Sequence, residues 1–208
     1  VEFLEYLAAL KGIEARTARA RIDELLQVMN LVEVRRRPIG GFSGGMRQRI
    51  GIAQALLNDP ELLIVDAPTA GLDPEERARF RGLLSDLSGE RIVILSTHIV
   101  SDVEAAATRI ALIRKGSLVF TGTPEALLKR VEGLTRTCVV PSDDLAALGQ
   151  RCIVSGAVRR SDGVHVRVVS EQPPTEAARP VAPTLEDAYL FCVASGGREA
   201  QALAPVVP

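Results

Sequence analysis

The sequence has 208 residues, of which 47% are hydrophobic and 25% are charged, so we expect packed domains rather than a disordered chain. The 25 Lys and Arg residues against 26 Asp and Glu residues give a net charge of -1, which argues against nucleic acid as the main partner. No apolar run reaches the ~18–20 residues that span a bilayer, so we expect any membrane role to depend on a partner protein. Cys138, Cys152 and Cys192 form an odd, widely spaced set that predicts buried thiols rather than disulfides or a zinc site.

Residues 1–58 carry apolar residues at helical spacing and are predicted to form a helical subdomain. In the first helix the predicted apolar stripe is Phe3, Leu7 and Leu10. The second helix carries its stripe at Ala18, Ile22, Leu25, Leu26 and Met29. A third helix is predicted to begin near Ser43 and to direct inward Met46, Ile50, Ala53 and Leu57. Arg47 and Arg49 of this helix are predicted to point elsewhere.

Residues 59–132 alternate between short apolar strands and helices. The continuous apolar runs at Leu62–Val65 and Ile92–Leu95 are typical of strands that are buried on both faces. Between them, Asp73 followed by Pro74 and an acid at Glu76 predicts a helix start. The inward stripe of this helix is predicted to be Phe80, Leu83, Leu84 and Leu87. The alternation predicts an α/β layer structure with a largely parallel sheet.

Further elements are predicted downstream of the second strand. They are a helix at Val100–Ala107, strands at Ile110–Ile113 and Leu118–Phe120 around a Lys115-Gly116 turn, and a helix that begins at Thr123-Pro124.

Residues 133–195 are predicted to form a small α+β accessory region. Arg151–Arg159 and Val164–Val168 flank Ser161-Asp162-Gly163, which indicates a hairpin. His165 and Arg167 alternate with valines, so one face of this hairpin is predicted to be wet, and His165 is interpreted as a surface residue without a function. The proline-rich stretch Gln172–Pro183 is predicted to be a linker, followed by a short helix from Thr184 and a disordered tail at 196–208.

The segment Ser43-Gly44-Gly45-Met46 has the features of an anion site at a helix start. Two glycines leave the backbone N–H groups unobstructed, the helix dipole adds partial positive charge, and the serine hydroxyl adds a donor. An ordinary glycine loop with a serine cap is the alternative interpretation of this segment alone.

Other motifs follow in a fixed order along the chain. Asp66 ends the first apolar strand, Pro68–Asp73 reads Pro-Thr-Ala-Gly-Leu-Asp, and Ser96-Thr97-His98 ends the second strand. Together with the serine-glycine-glycine segment, this order resembles the ATP-binding-cassette (ABC) family over about residues 1–130. The segments at Leu118–Glu125 and Pro183–Leu190 look like the ends of subunits that serve two-component ABC exporters.

The resemblance implies a role for each motif. Ser43, Gly44, Gly45 and Met46 would form the signature loop that covers the γ-phosphate of ATP held by the opposite subunit. Asp66 would be the Walker B aspartate that supports Mg²⁺, and His98 would be the switch histidine that senses the γ-phosphate. Ala70–Asp73 would form the loop that crosses the dimer interface, which is compatible with a role of Asp73 as a helix cap.

The same resemblance implies the partners and the location. The expected partners are a second cassette, identical or different, and an integral-membrane permease subunit, with the chain peripheral on the cytoplasmic face of the membrane. The expected fold is a P-loop NTPase-type cassette with its helical subdomain first.

Two departures from the family pattern stand out. Ala67 occupies the position of the usual glutamate that orients or deprotonates the attacking water, so ATP hydrolysis is expected to be impaired. The phosphate-cradling sequence G-x-x-x-x-G-K-[ST] is missing, since the lysines are only Lys11, Lys115 and Lys129. We expect a chain that lacks the N-terminal strands and the Walker A loop of the cassette.

Two alternatives to a transporter ATPase remain open from the residues. One is a soluble ABC protein that acts on ribosomes or DNA, although a duplicated cassette, a coiled-coil insertion and a basic surface are not visible. The other is a non-catalytic half-site partner that lends Ser43–Gly45 to another cassette's nucleotide.

Overall fold

The computed structural model of the chain describes residues 1–89 and 91–195, and it divides between Ala106 and Ala107 into two units. The predicted disordered tail at 196–208 lies outside the described residues. The domain boundaries expected at 58/59 and 132/133 stay predictions.

The first unit opens with helices α1 (Glu2–Leu10) and α2 (Ala15–Val28). The predicted apolar stripe of α1 is wrong at Phe3 and Leu10, which are 40% and 67% exposed whereas Leu4 and Ala8 are fully buried. Leu7, the third residue of that stripe, packs against the core cluster while partly exposed. Leu4 and Ala8 also stand four residues apart on one helical face, and α1 packs against α2 and α3 (Gly44–Ala55).

The stripe predicted for α2 is confirmed, since all five of its residues are buried. The inward face predicted for the third helix is also largely confirmed. Ile50, Ala53 and Leu57 are buried in the same cluster, and Met46 packs against that cluster while partly exposed. Short 3₁₀ turns at Val32–Val34 and Ile39–Gly41 connect α2 to α3.

Strands β1 (Leu62–Asp66) and β2 (Ile92–Ser96) pair in parallel, with Leu62 opposite Ile92 and Asp66 opposite Ser96. The prediction that both faces are buried is wrong. Leu63 and Val65 join the core, but four neighbouring side chains are 48–67% exposed: Leu62, Ile64, Ile92 and Ile94. Helix α4 (Pro74–Ser88) contacts β2, and no described element buries the other face. We call these four residues the open sheet face.

Helix α4 begins as predicted at Asp73, whose side chain accepts from the Glu76 amide at 2.8 Å with Pro74 in the first turn. Its core face is Phe80 and Leu84, with Leu83 and Leu87 partly buried. Helix α5 (Val100–Ala106) follows β2 and packs against α4.

The second unit starts with the antiparallel strands β3 (Ile110–Arg114) and β4 (Ser117–Gly122). Lys115 and Gly116 form the predicted turn, with φ angles of 47° and 78° that suit a tight hairpin. Thr123 caps helix α6 (Pro124–Leu128), also as predicted.

A four-stranded antiparallel sheet follows in this unit. Its strands are β5 (Thr135–Val140), β6 (Ile153–Arg160), β7 (Gly163–Val169) and β8 (Arg179–Pro180), and they lie in the order β6-β7-β5-β8. Helix α7 (Leu145–Arg151) precedes β6. Within residues 59–132 the predicted parallel pairing is confirmed for β1 and β2, whereas β3 and β4 run antiparallel. The sequence between Gln172 and Pro183 is also more than a linker, because β8 pairs with β5.

Helix α8 (Leu185–Ala194) packs against this sheet through an ion pair. The fully buried Asp187 accepts from Arg167 at 2.7 Å, from the Thr184 amide at 2.7 Å and from the Ser155 hydroxyl. Arg167 was expected on a wet face, but its guanidinium is bound to α8 because a buried carboxylate needs a cation. Cys138 and Cys192 are buried free thiols as predicted, and Cys152 is partly buried.

Candidate functional site

The N-terminus of α3 is capped by Ser43, whose backbone is extended and whose Oγ accepts from the Met46 amide at 3.2 Å. Since Ser43 Oγ satisfies the Met46 amide, the amides of Gly44 and Gly45 remain as first-turn donors, and within the described residues they donate to no protein group. The helix start therefore offers donors and a positive dipole end, and its first turn carries no acidic residue of its own.

Gly45 is buried where α3 meets the start of α4. A Cβ at this position would lie 3.3 Å from Glu76 Oε2 and 3.3 Å from Leu72 Cδ2, closer than an ordinary van der Waals contact. The missing side chain therefore allows the helix start to approach the loop that ends at Asp73.

Arg49, one turn further along α3, stabilises the contact between α3 and the start of α4. Its Nη2 lies 3.0 Å from Glu76 Oε1, and its Nη1 donates to the Met29 carbonyl at 2.9 Å. The side chains of Arg49 and Glu76 are only 12% and 23% exposed. The prediction that Arg49 points away from the packed face is wrong, because its partner lies 27 residues further along the chain and local spacing does not reveal it.

Asp66 and Ala67 stand at the carboxyl end of β1, beside the end of β2. Asp66 is exposed and opposite Ser96, and the Ala67 amide donates to the Ser96 carbonyl at 2.8 Å. His98 follows two residues after Ser96 and is exposed. It lies within a turn in which Thr97 Oγ1 accepts from the Ile99 amide at 3.0 Å. Ala67 has a left-handed backbone with a φ of 43°, so its methyl group stands at a sharp turn.

Asp66 fits a metal that arrives with a phosphate ligand rather than one held by protein alone. Among residues 1–89 and 91–195 no group of three or more His, Cys, Asp or Glu side chains could enclose an ion. Mg²⁺ commonly keeps several waters and takes one or two carboxylates together with substrate phosphates. A single exposed carboxylate at a strand end meets that requirement.

The loop from Ala67 to Asp73 joins the carboxyl end of β1 to the start of α4. Two backbone bonds of 3.2 Å shape it, from Ala70 to the Ala67 carbonyl and from Leu72 to the Thr69 carbonyl. Thr69 is fully buried and its hydroxyl donates to Asp102 of α5, which is also fully buried. Sequence reasoning missed Asp102, and only a fully folded arrangement brings it to Thr69.

His165, in the second unit, has a structural partner. Its Nε2 lies 2.8 Å from Asp162 in the β6–β7 turn, and this hydrogen bond lowers the pKa of the Asp162 carboxyl. The histidine therefore stabilises the hairpin turn, in line with its interpretation as a surface residue.

Comparison with known proteins places these motifs in a family. The family model described as ABC transporter matches residues 3–70. An uncharacterised ABC transporter ATP-binding protein of Bacillus subtilis is 32% identical over 178 residues, which are 86% of this chain and 59% of that protein. The Nod factor export ATP-binding protein I of Burkholderia pseudomallei is 31% identical over 201 residues, 91% of this chain and 66% of that protein.

A third relative is the daunorubicin resistance ATP-binding protein DrrA3 of Streptomyces coeruleorubidus, which is 37% identical over 131 residues, 62% of this chain and 42% of that protein. The chain belongs to the family of ABC transporter ATP-binding proteins. It spans 59% of the length of the Bacillus relative. In the part of the chain that the structure describes, no helix is long and apolar enough to cross a membrane.

Proposed function

We propose that this chain contributes the signature, Walker B and switch elements of a transporter ATPase that binds ATP and Mg²⁺ between two cassettes. The observation that carries the proposal is the Ser43-capped start of α3, locked through Arg49 and Glu76 to the helix that Asp73 caps. The relatives' names support it, because each is an ATP-binding protein of an ABC transporter or an export or resistance system.

Ser43, Gly44 and Gly45 act together on the γ-phosphate of ATP that a second cassette holds. Ser43 Oγ accepts from the Met46 amide, so its hydroxyl hydrogen stays available for a phosphate oxygen. The first-turn amides and the helix dipole add donors and positive potential. Met46 contributes its amide to the cap and its side chain to the core cluster, which keeps the loop in place.

Asp66 holds the Mg²⁺ that neutralises phosphate charge when ATP is bound, and His98 contacts the γ-phosphate from the end of β2. Asp73 caps α4 while its exposed position leaves it accessible to the second cassette. These roles come from the family resemblance and are compatible with the observed exposure of all three side chains.

We further propose that hydrolysis at this strand is slow. The methyl group of Ala67 offers no acceptor for a proton of the attacking water, and general-base catalysis contributes about 10²–10⁴-fold in rate. The two cassettes would then stay closed on ATP for longer, because the hydrolytic step is delayed. A half-site role, in which this chain lends Ser43–Gly45 to a catalytically complete partner, is the second candidate that Ala67 favours.

The proposed assembly includes a permease subunit and lies on the cytoplasmic face of a membrane. The relatives are named for exporting or resisting chemically different compounds, so the proposal extends to export and not to a particular cargo.

ATP-dependent association of the complete gene product tests the phosphate role. Ser43→Asp keeps an N-cap acceptor but places a negative charge against the phosphate, so we expect normal thermal stability and loss of association in Mg-ATP. Ser43→Ala loses the cap, which typically costs about 1 kcal/mol. Sedimentation velocity with and without ATP measures association.

Thr123→Ala is the matched control, because Thr123 caps α6 through the same bond, from the Ala126 amide at 3.2 Å. We expect Thr123→Ala to lose about as much stability as Ser43→Ala and to leave ATP-dependent association unchanged. Equal association of wild type and Ser43→Asp would contradict the proposal.

A further inference from the structure

Thr69 and Asp102 form a buried polar pair that the proposed ATP chemistry does not use. Both residues are fully buried, and the Thr69 hydroxyl donates to Asp102 Oδ2 across 33 positions of sequence. The second carboxylate oxygen, Asp102 Oδ1, is buried and has no hydrogen-bond partner among the described residues.

The pair joins two segments that carry proposed site residues. Thr69 lies in the loop between Ala67 and Asp73, which has only two short-range backbone bonds of its own. Asp102 lies in α5, four residues after His98, and its amide donates to the Ile99 carbonyl at 3.1 Å. The hydroxyl–carboxylate bond is thus a side-chain tie between the loop that ends at Asp73 and the turn that carries His98.

Stability alone does not account for this pair. A buried carboxylate oxygen without a donor is destabilising, and replacing a buried polar pair with apolar residues is often neutral or stabilising. A buried polar group with an unsatisfied atom in a native protein calls for another explanation. One such explanation is that the pair fixes the geometry of the loop, since a hydrogen bond is directional whereas an apolar contact is not.

We propose that Asp102 is a positioning residue that, through Thr69, fixes the conformation of residues 67–73 and so presents Asp73 to the second cassette. This inference rests on the proposed function. Asp102 is fully buried and acts through Thr69, so it does not itself contact nucleotide. The tie also makes the loop sensitive to the position of α5, and hence to what His98 contacts.

The first test measures the loop directly, without nucleotide, on this chain. Thr69→Val keeps the side-chain shape and removes the hydroxyl, whereas Thr69→Ser keeps the hydroxyl. We expect amide hydrogen exchange of residues 67–73 to rise about tenfold in Thr69→Val and to stay near wild type in Thr69→Ser. Thr135→Val is the control, because Thr135 is also fully buried but lies in the second unit. It should leave exchange of this loop unchanged.

The second test measures ATP-dependent association of the complete gene product by sedimentation velocity. We expect Thr69→Val to weaken association in Mg-ATP about tenfold and Thr69→Ser to restore it to within about twofold of wild type. The double variant Thr69→Val/Asp102→Leu removes the unpaired carboxylate as well. It should melt at or above the wild-type temperature and still associate weakly, which separates positioning from stability.

The outcomes distinguish this inference from the proposed function. If wild type associates with ATP and Thr69→Val associates equally well, the positioning role is overturned while the proposed function stands. If loop exchange rises but association does not change, the pair is structural only. If wild type does not associate with ATP at all, the proposed function fails and the role of Asp102 fails with it.

Discussion

Arg49 of α3 and Glu76 of α4 form an ion pair with 3.0 Å between Nη2 and Oε1, and both side chains are largely withdrawn from water. The pair stands beside Gly45, whose missing side chain makes room for the Glu76 carboxylate. The same arginine also donates to the Met29 carbonyl after the end of α2, so three helices depend on one guanidinium. The start of α3 and the start of α4 are therefore held as one structural piece.

Glu76→Ala is expected to lower the free energy of unfolding of the first unit by about 2 kcal/mol, between the values for exposed and fully buried ion pairs. The reason is that it leaves the largely buried Arg49 charge without its carboxylate. Native-state hydrogen exchange of α3 and α4 amides measures the change.

Glu75→Ala is the matched control on the neighbouring position of the same helix turn. Glu75 pairs with Arg79 at 3.0 Å, but the two side chains are 83% and 45% exposed. We expect a loss below about 0.5 kcal/mol, typical of an exposed pair. Equal losses for the two variants would mean that the Arg49–Glu76 pair adds nothing beyond helix propensity and the helix dipole.

Ala67→Glu is expected to raise steady-state ATP hydrolysis by the complete gene product by about 10²-fold or more, because it supplies an acceptor for the proton of the attacking water. Ala67→Gln keeps nearly the same size and lacks the basic carboxylate, so it should stay near the wild-type rate. Phosphate release at saturating Mg-ATP measures both variants. No gain in Ala67→Glu would remove the explanation of slow hydrolysis given above.

The left-handed backbone of Ala67 predicts an unusual response to glycine. Its φ is 43°, a conformation that costs a non-glycine residue about 1–2 kcal/mol, so Ala67→Gly should leave stability unchanged or raise it. Ala70→Gly, in the same loop but without a positive φ, should lower stability by about 0.5–1 kcal/mol. Thermal melting compares the stability of the two variants. If Ala67→Gly loses as much stability as Ala70→Gly, the backbone of Ala67 is not strained.

The open sheet face predicts self-association of this chain. Leu62 lies opposite Ile92 and Ile64 lies opposite Ile94, so the four exposed side chains form one apolar patch across two strands. Ile64→Lys/Ile94→Lys should keep the chain monomeric at concentrations where the wild type associates. Ile113→Lys is the control, since Ile113 is 73% exposed and belongs to the other unit. Light scattering against concentration measures the effect, and a monomeric wild type would contradict the prediction.

Local signals in the sequence predicted the elements that local chemistry determines. Asp73 with Pro74 predicted the start of α4, and Lys115-Gly116 predicted the β3–β4 turn, because caps and turns depend on a few adjacent residues. The order of Ser43, Asp66 and His98 indicated the family for the same reason, since each motif is read within a few residues.

Features that depend on distant partners were not predictable in this way. The apolar run at Leu62–Val65 has the composition of a doubly buried strand, yet only its packing partners decide which face is covered. Arg49 reads as a surface residue of α3 until Glu76 is placed beside it, and nothing in the residues around Thr69 points to Asp102. Periodicity gives the direction of a side chain on its own element but not what lies opposite.

Asp187 predicts the acid sensitivity of the second unit. Burial raises the pKa of this carboxyl, but hydrogen bonds from Arg167, Ser155 and Thr184 outweigh it and hold the pKa below its ordinary value of 3.8. A carboxyl with a lowered folded-state pKa stabilises the fold above the unfolded value and loses this contribution as the pH falls through the folded value. Asp187→Asn should therefore lower the free energy of unfolding by about 3 kcal/mol at pH 7, as expected when a buried ion pair is broken.

The difference between wild type and Asp187→Asn should shrink as the pH falls below 3.8, because the wild-type carboxyl then takes up its proton. Hydrogen exchange of β7 and α8 amides at neutral and acidic pH, corrected for intrinsic rates, measures it. Asp162→Asn is the control, since Asp162 is an exposed turn residue whose pair with His165 is in contact with solvent, and it should change stability little. A loss in Asp187→Asn that is the same at all pH values would show that packing around position 187, and not the charge, stabilises α8 on the sheet.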